Sequence, residues 1–140
     1  MKKDQINIHD LRLGNFIFGV SDRMETITGL RNTSEGNLIT SHPGILLKAS
    51  FEGSIKDYSG ILITEKWFEA FQFQTDSICF WKETFEIGWF KNGFYYLPSR
   101  NLAYRSLKKL VYVHELQNLY FIITGEELQV KENILLLNLL

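Results

Sequence analysis

The stretch TFEIGWFKNGFYYLP, residues 84–98, decides the fold class. Two aromatic-rich runs flank Asn92-Gly93, the pair most favoured in a two-residue type I′ hairpin turn, where both central positions need positive φ. The pattern predicts an antiparallel ribbon in which Trp89 faces Tyr96 and Phe90 faces Tyr95. Alternation puts Phe85, Ile87, Trp89, Phe94 and Tyr96 on one side, assigned to the core. Phe90 and Tyr95 fall on the side that a ligand or partner can reach. Pro98 ends the ribbon, because it brings no backbone N–H to a ladder.

Working outward, SICFWK and FQFQ carry the same period of two, so strands are expected there as well, beginning near Phe71. Before them, TEKWFEAF reads as a short helix. Thr64 can cap it, Glu65 suits its positive end, and Trp67, Phe68 and Phe71 supply apolar neighbours at helical spacing. Nearer the N-terminus, NFIFGV, METITGL and LITS read as three short strands, with Met24, Thr26, Thr28 and Leu30 on one face of the second. RNTSEGN reads as a loop, and His42-Pro43-Gly44 closes the run. Such a series predicts a meander or half of a small barrel.

Beyond the ribbon, HELQNLYFIIT reads as the second helix, closed by Gly125 in the left-handed position. Its inward stripe is expected at Leu116, Leu119, Tyr120 and Ile123, with Phe121 and Ile122 on the opposite side. ELQV then reads as a closing strand with Leu128 and Val130 on one face. The fold class expected is α+β. A mainly antiparallel sheet, with an N-terminal small-barrel-like meander and the central hairpin, packs with two main helices in one domain over residues 1–140.

Composition narrows the function classes. At 45% hydrophobic and 22% charged, the 140-residue chain lies in the globular range. A net charge of -1 gives no overall basic field for nucleic acid or anionic membranes. The apolar run ILLL near the C-terminus is far too short to span a bilayer, and MKKDQINIHD lacks the apolar core of a secretory signal. Cys79 is the one cysteine, so no internal disulfide or cysteine metal cluster forms, and a reducing cytoplasm is the expected compartment.

Three blocks, Leu11 to Asn15, Ile63 to Trp67 and His114 to Phe121, give the chain a resemblance to a family of small uncharacterised proteins of Bacteroidetes and their phages and mobile elements. The resemblance covers most of the chain from Leu11 to Leu128, and its last block, within VHELQNLYFIITGEEL, is the most specific. It supplies no catalytic residues. It implies a phage or mobile-element setting, in which small proteins block or sequester host factors, including those of host defence.

Few motifs point to chemistry. His9, His42 and His114 are scattered without zinc-like spacing, so no metal or cofactor is expected. Cys79 lies between Ile78 and Phe80, the setting of an inert buried thiol. No Walker loop, G-x-G-x-x-G or G-x-S-x-G is present. The window from Trp67 to Tyr96 is rich in aromatics but has two lysines against four acidic residues, which argues for core rather than a phosphate-binding platform. Between Ile87 and His114, however, there is no acidic residue. Arg100, Arg105, Lys108 and Lys109, with Tyr95, therefore form a candidate anion site. Phe121, Ile122, Leu135 and Leu136 form a candidate interface, most simply of a homodimer. The expected function is non-enzymatic binding of a host protein or of a small anionic, nucleotide-type ligand. A nucleic-acid-binding accessory or regulatory module is the alternative, and a small hydrolase is a third reading.

Overall fold

In the computed structural model, residues 6–19, 23–43, 51–98 and 108–130 are described. The fold is α+β, mainly antiparallel sheet with two helices. The residues group into two compact units, one covering Met1–Leu62 with Tyr112–His114, the other Ile63–Val111 with Glu115–Leu140.

The first unit is a curled half-barrel. Strands β1 (Phe16–Phe18), β2 (Met24–Thr33), β3 (Gly36–Pro43) and β4 (Phe51–Ser54) pair in sequence order, all antiparallel. After β4 the chain makes a 3-10 turn at Ile55–Asp57 and bridges back to β1 through Phe18 and Ser59. The inner face buries Ile17, Ile27 and Ile39 with Ile6, Leu11 and Tyr58. The Leu11 to Asn15 block has a physical reason here. Gly14 takes a φ of 92°, and the buried Asn15 side chain accepts from the Arg12 amide at 2.7 Å.

Three sequence expectations change in this unit. RNTSEGN is a tight hairpin rather than a loop, since β2 runs to Thr33, β3 starts at Gly36, and Ser34 and Glu35 alone turn the chain. A bulge between Ile27 and Gly29 shifts the register. The extra residue therefore places Leu30 on the face of Ile27 rather than that of Met24. β1 is buried on both faces, at Phe16 and Ile17, where NFIFGV alone reads as a half-buried strand, and Ile6 and Leu11 from the chain ahead of it pack with Ile17.

The second unit is a five-stranded antiparallel meander. β5 (Gln74–Thr75), β6 (Cys79–Lys82), β7 (Phe85–Phe90), β8 (Gly93–Tyr96) and β9 (Lys109–Leu110) follow one another. Helix α1 (Glu65–Ala70) and, from Glu115 onward, helix α2 (Val113–Thr124) belong to this unit. Phe68 of α1 stacks on Phe80 at 4.3 Å and leans on Phe94, while Tyr120 of α2 meets Phe85 edge-on. Both helices therefore cover the sheet face that carries Phe80, Phe85 and Phe94.

α1 begins after Thr64, as its sequence predicts, but the Thr64 side chain makes no capping hydrogen bond. At its other end Gln72 takes the left-handed conformation, with φ 65°. The amides of Gln72 and Phe73 close on the carbonyls of Glu69 and Phe68, and the Phe68 and Phe73 rings meet 5.3 Å apart. This is a Schellman motif with its apolar contact, and it delays the strand expected near Phe71 to Gln74. α2 ends at Gly125, φ 75°, whose amide reaches the Phe121 carbonyl, as the sequence predicts.

The stripe on α2 is displaced. Leu116, Gln117 and Tyr120 are buried, Leu119 is half-buried, and Ile123 is 48% exposed. Gln117 takes the inward position that apolarity alone assigns to Ile123. ELQV forms no strand, although Leu128 is buried.

Candidate ligand face

The hairpin turns one residue earlier than Asn92-Gly93 predicts. Phe90 pairs with Gly93, Trp89 with Phe94, Gly88 with Tyr95 and Ile87 with Tyr96. Lys91 and Asn92 are the turn residues, with φ 50° and 58°. The partition between faces is as expected, with Phe85, Ile87, Trp89, Phe94 and Tyr96 on one side, but Trp89 at its end is 45% exposed.

The opposite face of the sheet can be read from the register. Trp81 lies opposite Glu86, Cys79 opposite Gly88, Gly88 opposite Tyr95 and Tyr95 opposite Lys109. Phe90 and Tyr95 are diagonal neighbours, and their rings stack at 4.5 Å with planes 19° apart. Two glycines make this possible. A Cβ on Gly88 would stand 3.4 Å from the Phe90 ring and 3.1 Å from Leu97 Cδ1, so both side chains lean over it. A Cβ on Gly93 would stand 2.7 Å from Lys109 Cε and 3.3 Å from the Tyr95 ring. The stem of Lys109 thus lies over Gly93, and its ammonium is held beside the stacked pair. Phe90 and Tyr95 are half-buried, and Lys108 and Lys109 are exposed.

At the other side of this face the Cys79 thiol meets the Glu86 carboxylate. Burial first, then the negative charges of Asp76 and Glu86, pushes that thiol above its ordinary range. The direction is opposite to that of an activated nucleophile. Asp76 closes the preceding turn, accepting from the amides of Ile78 at 3.0 Å and Cys79 at 2.8 Å, and these bonds hold its carboxyl below the usual range.

Of the residues that the sequence singles out, Tyr95 and Lys109 are brought together, and Lys108 adjoins them. Arg100 and Arg105 lie outside the described residues, in the stretch 99–107 that joins β8 to β9. On α2, Phe121 and Ile122 are 37% and 74% exposed, and Ile123 joins them; Leu135 and Leu136 lie outside the described residues. Trp81, Cys79 and Glu86 belong to the face without having been singled out for it. The signal was present: Lys82 and Phe85 flank a two-residue turn, which fixes Trp81 against Glu86 and Cys79 against Gly88.

Two other polar concentrations exist. In the first unit Glu25 is 3% exposed and accepts from Ser41 Oγ at 3.3 Å. The Ser41 and Tyr58 hydroxyls are 3.1 Å apart, and Arg23 Nη2 lies 3.5 Å from Glu25 Oε1. The Arg23 guanidinium sits 5.0 Å over the Phe51 ring. Gly19 is required because a side chain there would overlap the Glu25 carboxylate. This is a closed network in which each group satisfies another. In the second unit a half-open cleft of about 410 Å³ runs between Glu65, Glu69 and Asp76 over Phe68, Phe73 and Phe80. Among the described residues no group of three or more His, Cys, Asp or Glu is placed to hold a metal, and no helix is long and apolar enough to cross a membrane.

Comparison of the chain with protein-family models, with curated proteins and with solved structures finds no match.

Proposed function

We propose that the protein is a non-enzymatic binding protein whose ligand is a small, planar anion of nucleotide type. The observation that carries this reading is the Phe90–Tyr95 stack on the face opposite the helices, with Lys109 directly across from Tyr95. A base has a π face that can stack on an aromatic ring, and such stacking contributes about 1–3 kcal/mol per base. Lys109 stands where the attached phosphate would lie. The Lys109 ammonium can donate to phosphate oxygens in charge-assisted hydrogen bonds, each contributing about 1.5–3 kcal/mol. Arg100 and Arg105 occur in the connection between the two strands concerned. In a phage or mobile-element setting, capture of such a ligand would be a way to sequester a host factor.

Calorimetric titration with nucleoside monophosphates tests this. Tyr95→Ala and Lys109→Glu should each weaken binding by about tenfold or more, from the magnitudes above. Affinity indifferent to both changes, or absence of binding at millimolar nucleotide, refutes the reading. Tighter binding to single-stranded oligonucleotides with steep salt dependence would assign the face to nucleic acid instead.

A separate observation favours self-association. Phe121, Ile122 and Ile123 are consecutive, large and exposed at the end of α2. A patch without charge suits a twofold contact between copies of the chain. Three side chains supply only part of the ~800 Å² per partner typical of stable complexes, so a dimer built on them alone is weak. Light scattering across a concentration series should show a dimer that Ile122→Lys abolishes. A monomer mass for the unaltered chain at high concentration excludes it.

A further inference from the structure

We propose that the cleft beside α1 docks an arginine-bearing, otherwise apolar segment of a partner protein. The cleft belongs to the second unit and lies on the helix-covered side of its sheet, apart from the Phe90–Tyr95 face. Its floor is apolar. Phe68 stacks on Phe80 at 4.3 Å, and Phe73 meets Phe68 edge-on at 5.3 Å. Glu65 and Glu69 line it from α1, where spacings of three and one residue from Phe68 put all three on one helix face. Asp76 comes from the turn after β5, and its two amide bonds both fall on Oδ1. Against these three carboxylates the lining holds one cation, Lys66, and none of the three is in an ion pair with a described residue.

Charge complementarity decides the occupant. An apolar floor under an acidic rim suits a side chain with an apolar stem and a cationic head. Arginine fits better than lysine, because its planar fork donates to carboxylates in pairs. At about 410 Å³ the cleft is within the range of about 300–1,000 Å³ that holds organic groups of this kind. The surface continues beyond it. Ser77 lines the cleft, and the next residue, Ile78, is 59% exposed. The Ile78 carbonyl accepts from the Trp89 amide at 2.8 Å, one step past the Cys79–Gly88 pair, so Ile78 lies opposite Trp89. Trp89 rests on Phe94, with ring centroids 4.6 Å apart, and Phe94 leans on Phe68 at 5.1 Å. A free organic cation would leave Ile78 and Trp89 in water. A peptide covers them with the apolar residue beside its arginine. Tryptophan is among the residue types that carry most binding energy at interfaces, and the carboxylates select the partner.

The test is equilibrium titration of the full chain with a capped, unstructured hexapeptide of alternating arginine and leucine. A second peptide replaces each arginine by citrulline, which keeps the shape and loses the charge. The arginine peptide should bind about tenfold more tightly or better, the scale of one charge-assisted contact to a carboxylate. Glu65→Gln combined with Glu69→Gln should weaken it about tenfold by the same reasoning. Ile78→Ser should weaken it about threefold, for apolar area left in water. All three residues are exposed, so these variants keep the fold. Tyr95→Ala, on the other face of the sheet, should leave the affinity within about twofold. Loss of peptide binding in that variant moves the peptide to the stacking face and overturns the proposal. No binding at millimolar peptide overturns it, as does equal affinity for the citrulline peptide or indifference to both the glutamate and the Ile78 changes. Arginine amide binding as tightly as the peptide assigns the cleft to a free organic cation. Self-association that the double glutamine variant abolishes, read by light scattering, assigns it to a second copy. Either result overturns the partner segment.

Discussion

Lys91 and Gly93 exchange roles between the two registers available to the hairpin, so substitution at each has an opposite sign in the two cases. In the structure Lys91 holds φ at 50°, a conformation that costs an L-residue with a Cβ about 1–2 kcal/mol. Lys91→Gly removes that cost but adds glycine's extra unfolded-state entropy, about 0.5–1 kcal/mol. The expected net gain is about 0.5–1 kcal/mol, or roughly 2–4 °C in melting temperature for a chain of this size. Gly93 has no positive φ to protect, and a Cβ there would meet Lys109 Cε, 2.7 Å away on a flexible stem, and the Tyr95 ring at 3.3 Å. Gly93→Ala should therefore change stability by less than about 0.5 kcal/mol, the lost glycine entropy offsetting the displaced lysine stem. A turn centred on Asn92-Gly93 reverses the pattern. Gly93→Ala would then cost about 1 kcal/mol or more, and Lys91→Gly would lose about 0.5–1 kcal/mol as a glycine within a strand. Thermal melting and urea titration of the two variants beside the parent decide the matter. Destabilisation by both substitutions refutes the register.

Gln72→Gly at the end of α1 should raise stability by about 0.5–1 kcal/mol for the same reason as at Lys91, since Gln72 is exposed and left-handed; a lower urea midpoint would count against the Schellman cap. Asp76 is held below its ordinary value of 3.8 by the Ile78 and Cys79 amides, so its stabilising contribution is present above that value and lost as pH falls through the lower, folded one. Melting temperature should accordingly fall more steeply with acid in the parent than in Asp76→Asn, and parallel profiles would remove the effect. Tyr58, Tyr96 and Tyr120 are raised above 10.0, chiefly by burial, so the sign is opposite: stability is intact below pH 10.0 and declines above it. Tyr58→Phe should flatten the alkaline decline measured by circular dichroism, and an unchanged slope would show that Tyr58 does not titrate with unfolding.

The fold class was legible because its two periodicities are strong. Runs of alternating residues gave β1, β2, β6 and the hairpin, and Gly125 marked the end of α2. What was not legible has local causes. Phe51–Ser54 forms β4 although FEGS carries neither alternation nor β-branched residues; it is held by pairing with β3 from Leu38 to Ser41, a long-range contact that no window of sequence displays. The stripe on α2 is displaced because helical spacing admits two inward faces there. One runs through Leu116, Leu119, Tyr120 and Ile123, the other through Leu116, Gln117 and Tyr120. Only packing decides that a glutamine is buried and an isoleucine left 48% exposed.

The candidate site shows which part of a register error matters. Moving a two-residue turn by one position changes each cross-strand partner by two residues, so every side chain keeps its face while its neighbour changes. Parity is why Phe90 and Tyr95 stand together on the outer face in either register. The neighbour is what the structure corrects. Tyr95 lies opposite Gly88 rather than Phe90, and a directly opposed pair of rings becomes a diagonal one. Gly88 leaves the space into which Phe90 leans, so the two rings overlap at 4.5 Å. Gly93 does the same for the stem of Lys109. The same two glycines that give a strand little side-chain packing of its own thus set the stack and its cation side by side. A Gly88→Val variant separates these effects. The β-branched side chain suits a strand and should not disturb pairing, but it would push Phe90 and Leu97 away from the positions that they hold. Nucleotide affinity should fall about tenfold, the scale of one lost stacking contact, while the pairing of β7 with β8 persists. Retention of full affinity with Phe90 displaced would show that the stack is packing, and that Lys109 acts without it.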